Sequence, residues 1–126
     1  MRIFLTRWTA RFIRREGMDA ASIVDAVARA ERGLVDADLG GGLIKMRVAR
    51  SGQGRSGGFR TMLAFKSGDR AVFLYAFAKN ERENVGPDEL QTLRELARAW
   101  LRAGDEELEV ATRGGQLEEL DDGKRT

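Results

Sequence analysis

LGGGLIKMRVARSGQGRSGGFRTMLAFK, residues 39–66, holds six cations (Lys45, Arg47, Arg50, Arg55, Arg60 and Lys66), and no acidic residue falls between Asp38 and Asp69. Within it, Ile44, Met46 and Val48 alternate with Lys45, Arg47 and Ala49, the period of a half-buried strand. Ser51 to Gly58 turns the chain, and Phe59 to Lys66 resumes as a strand. Ser67-Gly68-Asp69-Arg70 has the length of a hairpin connection between antiparallel strands. Ala71 to Ala78 follows as a nearly continuous apolar run, which suits a central strand covered on both faces. The cations therefore sit on strands and a loop that fold back on one another, a surface suited to a polyanion such as RNA.

The loop between the first two of these strands, Gly52-Gln53-Gly54-Arg55-Ser56-Gly57, matches the G-x-G-x-x-G pattern of dinucleotide sites letter for letter. That pattern must open a helix so that a pyrophosphate meets the helix N-terminus. Here a strand pattern follows it, and no G-K-[ST] closes the glycines as a P-loop requires. A hairpin loop explains the glycines, and backbone amides unobstructed by side chains can still approach a phosphate.

Working outward, Arg2 to Thr6 reads as a first strand. Thr6 caps a helix whose inward face is Trp8, Phe12 and Ile13, stopped by Gly17. Asp19 caps a second helix with Ile23, Val24, Val27 and Ala28 at helical spacing, and Gly33 ends it. The arginines of this helical hairpin read as a solvated face. Leu34 to Gly42 reads as a loop closed by three glycines. Downstream, Gly86-Pro87-Asp88-Glu89 opens a helix with proline and acids in the first turn, a Leu90, Leu93, Ala97, Trp100, Leu101 stripe, and Gly104 as its end. Leu108 to Ala111 is a short strand candidate. The expected order is β-α-α-β-β-β-α. This is an α+β fold: a small, mostly antiparallel sheet packed on one face by an N-terminal helical hairpin and a C-terminal helix. Residues 1–110 form one domain and 111–126 a polar tail, for which pairing with the sheet edge, contact with a partner and disorder are all open.

Composition narrows the chemistry. The 126 residues contain no cysteine and no histidine, which removes thiolate zinc sites, disulfides and the commonest neutral-pH acid or base. The carboxylates do not cluster as metal ligands would, and no cofactor is expected. No apolar run approaches the roughly 20 residues of a membrane span, and Arg7 and Arg11 interrupt the N-terminal apolar stretch. A cytoplasmic protein is expected. The net charge of +2 conceals an asymmetry: residues 1–82 carry 16 Lys/Arg against 8 Asp/Glu, and residues 83–126 carry 6 against 12. The acidic end either screens the basic body or faces elsewhere.

Pairing across the Ser67–Arg70 turn brings Arg60, near the start of one strand, close to Lys79 at the end of the next. Two neighbouring like charges favour an anion between them. Glu81 and Glu83 are near enough in sequence to neutralise one of them.

RVARSGQGRSGGFRTMLAF (47–65), followed by VFLYAFAKNERENVG (72–86) and a Leu-rich helix, resembles the RelE/ParE superfamily, in particular RelE-like (HigB-type) toxins of type II toxin–antitoxin systems. The resemblance covers roughly residues 1–110. It implies a ribosome-dependent mRNA endonuclease (mRNA interferase) that inhibits translation, acting on mRNA on the ribosome and silenced by a cognate antitoxin of helix-turn-helix type. The alternative it leaves is a non-catalytic or ParE-like member that binds RNA, the ribosome or gyrase. On the family's pattern Arg60 matches the strand arginine and Lys79 the basic position closing the next strand. Lys45, Arg47, Arg50 and Arg55 match basic strand-and-loop positions, and Lys66 and Arg82 extend the RNA-binding set. Some HigB proteins use histidines, absent here. Arg60 and Arg55 suit the charge on phosphate oxygens because a guanidinium grips two oxygens at once. Lys79 adds charge or moves a proton, with Glu81 and Tyr75 as further acid/base candidates.

Overall fold

A computed structural model of the chain describes residues 1–49, 58–79 and 84–120. The elements are β1 (Arg2–Thr6), α1 (Arg7–Glu16), α2 (Ala20–Glu31), β2 (Ala37–Gly40), β3 (Leu43–Val48), β4 (Phe59–Lys66), β5 (Arg70–Ala78), α3 (Pro87–Arg102), α4 (Asp105–Arg113) and β6 (Leu117–Leu120). Six strands form one sheet in the order β2-β3-β4-β5-β1-β6. Among the described residues only the β1–β5 pairing is parallel. The α+β class and the mostly antiparallel sheet expected from the sequence are present.

The helical hairpin starts and stops where its capping residues stand. The Thr6 hydroxyl accepts from the Thr9 N–H at 3.3 Å, and Gly17, at φ 69°, ends α1. The Asp19 carboxylate accepts from the Ser22 N–H at 2.8 Å, a bond that holds its pKa below the ordinary value. Where β1 ends, α1 takes over its place beside β5: the buried Thr9 hydroxyl donates to the Phe73 carbonyl at 3.0 Å.

The helices do not share one face of the sheet, contrary to the sequence expectation. The hairpin packs on one face over Ile3, Leu5, Met46, Val48, Phe59, Leu63 and Phe73. α3 and α4 pack on the other over Phe4, Leu43, Met62, Ala64, Val72, Leu74 and Phe77. A sheet whose two faces are both apolar requires a layer on each, and the unbroken apolar run of β5 reflects that. Between Met62 and Leu63 the β4–β5 register shifts: their partners are Tyr75 and Phe73, so Leu74 is the extra residue of a bulge.

Two further expectations are corrected. The stretch read as a loop before the glycines contains β2, which pairs antiparallel with β3 (Ala37 with Lys45, Asp38 with Ile44). Gly40, Gly41 and Gly42 make its turn at φ 89°, 66° and 86°. Side chains of α3 lie over that turn: Arg94 donates from Nε to the Leu39 carbonyl at 2.6 Å, and a Cβ on Gly42 would collide with Leu101 Cδ1. Gly42→Ala is expected to cost about 1–2 kcal/mol from the left-handed backbone and the displaced leucine. The check is a lower urea midpoint at unchanged m-value.

The strand expected at Leu108–Ala111 is helix α4 instead. Gly104 serves as its N-cap, three acids fill its first turn, and Leu108 and Ala111 lie three apart on its buried side. α3 itself ends at Arg102, short of Gly104. The sixth strand lies beyond α4, and β6 pairs antiparallel with β1 (Phe4 with Glu119, Leu5 with Glu118).

This docking resolves the charge asymmetry. Arg2 bonds Glu119 at 2.9 Å and Glu109 at 3.1 Å, Arg14 bonds Glu118 at 3.0 Å, and Arg7 donates to the Gly115 carbonyl at 3.0 Å. The acidic end therefore faces the N-terminal arginines at the β1–β6 side of the sheet. The cations of β3 and β4 lie toward the opposite edge.

Candidate nucleic-acid interface

Register decides which cations meet. Arg47 of β3 pairs directly with Arg60 of β4, and Arg60 with Phe77 of β5. Directly paired residues share a face. Lys45, opposite Met62, and Tyr75, also opposite Met62, belong to the same face, the one that carries α3. Lys79 stands one residue beyond the end of β5, so it is a diagonal neighbour of Arg60 rather than its partner. Lys66 pairs with Arg70 at the other end of β4, six residues from Arg60, a separation of about 20 Å. It forms an ion pair with Asp69 at 3.6 Å. Arg50, Arg55, Glu81 and Arg82 lie outside the described residues.

Arg60 is 9% exposed, and its Nη1 is buried without a hydrogen-bond partner. A buried donor left unsatisfied costs roughly 1–3 kcal/mol. The cost is raised by Arg47 directly across, since like charges facing each other repel. Among the described residues none of Lys45, Arg47, Arg60 and Lys79 forms an ion pair. Two guanidiniums at one end of a sheet, one of them buried with an unused donor, have the chemistry to grip the non-bridging oxygens of a phosphodiester.

The backbone of Arg47 is clamped from outside the sheet. β2 reaches only as far as Lys45, so Arg47 has no strand partner on that edge. Asp36 accepts from its N–H at 2.6 Å, and Arg29 Nη2 donates to its carbonyl at 2.6 Å. Asp25 holds Arg29 at 3.0 Å.

The sequence model described as RelE toxin of the RelE / RelB toxin-antitoxin system matches residues 1–120. The chain belongs to the RelE toxin family. This RelE-family chain is thus a toxin of a toxin–antitoxin system, and membership brings an antitoxin as partner. No curated protein sequence matches it. Among the described residues of the toxin, no helix is long and apolar enough to cross a membrane.

Three residues that position the toxin's basic face escaped the sequence reading. Arg29, expected on the solvated side of the hairpin, is 5% exposed. Asp36 lies in the stretch expected to be a loop, directly before β2. Trp8, expected in the core, is 43% exposed and stacks on Tyr75 at 4.7 Å between centroids. The ring of Tyr75 in turn lies 6.0 Å from that of Phe77. One sequence signal existed for Arg29: it stands four residues after Asp25 and two after Val27, on the shoulder of the apolar stripe. Nothing local could show that β5 outruns β1 and leaves Tyr75 open to Trp8.

Proposed function

We propose that this RelE-family toxin is an mRNA interferase of HigB type, a metal-independent endoribonuclease that cuts messages on the ribosome. It acts in the cytoplasm and is silenced by a helix-turn-helix antitoxin. The single observation that carries the reading is the buried, unpartnered Arg60 Nη1 set opposite Arg47.

Cleavage through the RNA's own 2′-OH needs in-line attack of that oxygen on the adjacent phosphorus, expulsion of the 5′-oxygen, and a proton transfer at each. Charge builds on the non-bridging oxygens, where Arg60 and Arg47 stabilise it. Arg55, outside the described residues, is the third member of the catalytic set; Lys79 adds charge or moves a proton, with Glu81, likewise outside them, and Tyr75 as the further acid/base candidates. Lys45 and Arg50 hold the RNA, with Lys66 and Arg82 as further members of the binding set. A modest set of protein acids and bases suffices where the ribosome orients the message, since positioning supplies much of the rate.

Induction of the wild-type protein is expected to produce cuts inside translated messages, mapped by primer extension, and none in the same RNA incubated without ribosomes. Altered plasmid supercoiling with intact messages would instead identify a gyrase-directed toxin and overturn the reading.

A further inference from the structure

Beside the basic face, on the same side of the sheet, a pocket of about 230 Å³ opens between β5 and the first turns of α3, lined by Tyr75, Glu89, Thr92 and Leu93. Its volume equals roughly seven or eight waters at ~30 Å³ each, enough to admit one pyrimidine or purine ring system. Its position relative to Arg60 follows from the register. Phe77 is opposite Arg60 and Tyr75 is the next residue along that face, so Tyr75 is a diagonal neighbour of Arg60 at ~7–8 Å. A phosphate on Arg60 and a base in the pocket are then one nucleotide's reach apart.

We propose that this pocket is a nucleobase subsite that selects a base carrying an exocyclic amino group and disfavours uracil. The proposal rests on the RNA-directed reading of the Arg47–Arg60 face. Tyr75 supplies an aromatic wall whose ring is fixed by Trp8 at 4.7 Å and Phe77 at 6.0 Å. Aromatic walls suit bases because every base has a π-face. Leu93 supplies an apolar contact from α3. Glu89 is the discriminating group. Its Oε1 accepts from the Gly86 N–H at 3.1 Å, which fixes the carboxylate at the pocket's rim. An ionised carboxylate only accepts. The amino groups of cytosine, adenine and guanine donate to it, whereas the one donor on uracil's pairing edge, N3–H, is flanked by two carbonyls that repel the carboxylate. Thr92 lies on the exposed side of α3, with its hydroxyl bonded to the Asp88 carbonyl at 3.2 Å.

The test is an amide NMR titration of the full-length protein with CMP, AMP, GMP and UMP. The three amino-bearing nucleotides are expected to shift the resonances of Tyr75 and of Glu89 to Leu93. UMP should bind weaker by on the order of tenfold. Glu89→Gln keeps an oxygen for the Gly86 N–H but can also donate, so it should bring the four affinities together. Thr92→Trp, at an exposed position, fills the pocket and should remove all four shifts while the rest of the spectrum stays in place. Equal shifts by all four nucleotides in the wild-type protein would overturn the selection by Glu89, and shifts confined to the strands would overturn the subsite itself. Binding does not depend on cleavage. A base preference here in a protein that cuts no message would therefore sink the interferase reading and spare the pocket.

Discussion

Arg60→Ala is expected to abolish growth arrest and to lower message cleavage by roughly 10²–10³-fold, the loss typical of removing one preorganised donor from a developing oxyanion. Its guanidinium is the buried one, with Nη1 making no bond inside the protein. In the proposed role its removal takes away charge offered to the phosphate, and no hydrogen bond of Nη1 is lost with it. The melting temperature of the variant should stay within a few degrees of wild type, because relief of the repulsion with Arg47 offsets the lost packing. Arg60→Lys should recover only part of the activity: a point charge cannot present two parallel N–H groups to a phosphate. Lys79→Ala should act in the same direction. An Arg60→Ala/Lys79→Ala protein that remains fully toxic would show that the chemistry is elsewhere.

Arg70→Met is expected to act oppositely, with a large loss of stability that precedes any loss of function. Arg70 starts β5 and is 6% exposed. Its Nη1 donates to the Trp100 carbonyl at 2.9 Å and the Ala103 carbonyl at 2.6 Å, the end of α3 where the helix dipole is negative. Its Nε faces Asp69 Oδ2 at 3.4 Å, an ion pair without hydrogen-bond alignment. Methionine fills the volume but leaves both carbonyls without their charged donor. The expected cost is about 3 kcal/mol, which lowers the melting temperature by on the order of 10 °C in a domain of this size. A shift of only a degree or two, measured by calorimetry on the isolated toxin, would show that the carbonyls find other donors and that Arg70 does not secure α3.

The two arginines show where sequence reading worked and where it stopped. Arg60 stood out because it lies in a long acid-free stretch and at a family position. Arg70 looked like one more residue of a hairpin turn, because its partners are backbone carbonyls thirty and more residues away. Arg29 failed for the same reason: its ligand is the carbonyl of Arg47 on another element. The Leu108–Ala111 segment reads as a strand because its few apolar residues satisfy either periodicity, and only the acids after Gly104 argue for the helix it forms. Lys66 joined the RNA-binding set through sequence proximity alone, and strand geometry carries it about 20 Å from Arg60.

By itself the sequence determined the order of β1, α1, α2, β3, β4, β5 and α3, the caps at Thr6 and Asp19, the helix start at Gly86-Pro87, the hairpin that joins β4 to β5, and the RelE resemblance. Each of these is written in contacts within a few residues, or in motifs spaced along the chain. The tertiary structure decided the rest. It placed helices on both faces, set Phe77 rather than Lys79 opposite Arg60, inserted the bulge at Leu74, and sent the acidic end to the N-terminal arginines. It also opened the pocket beside Tyr75. The physical reason is that strand pairing fixes sites to a single residue of register, and a slip of one sends a side chain to the other face. That register is chosen by packing of the whole sheet, which no local pattern in residues 39–66 records.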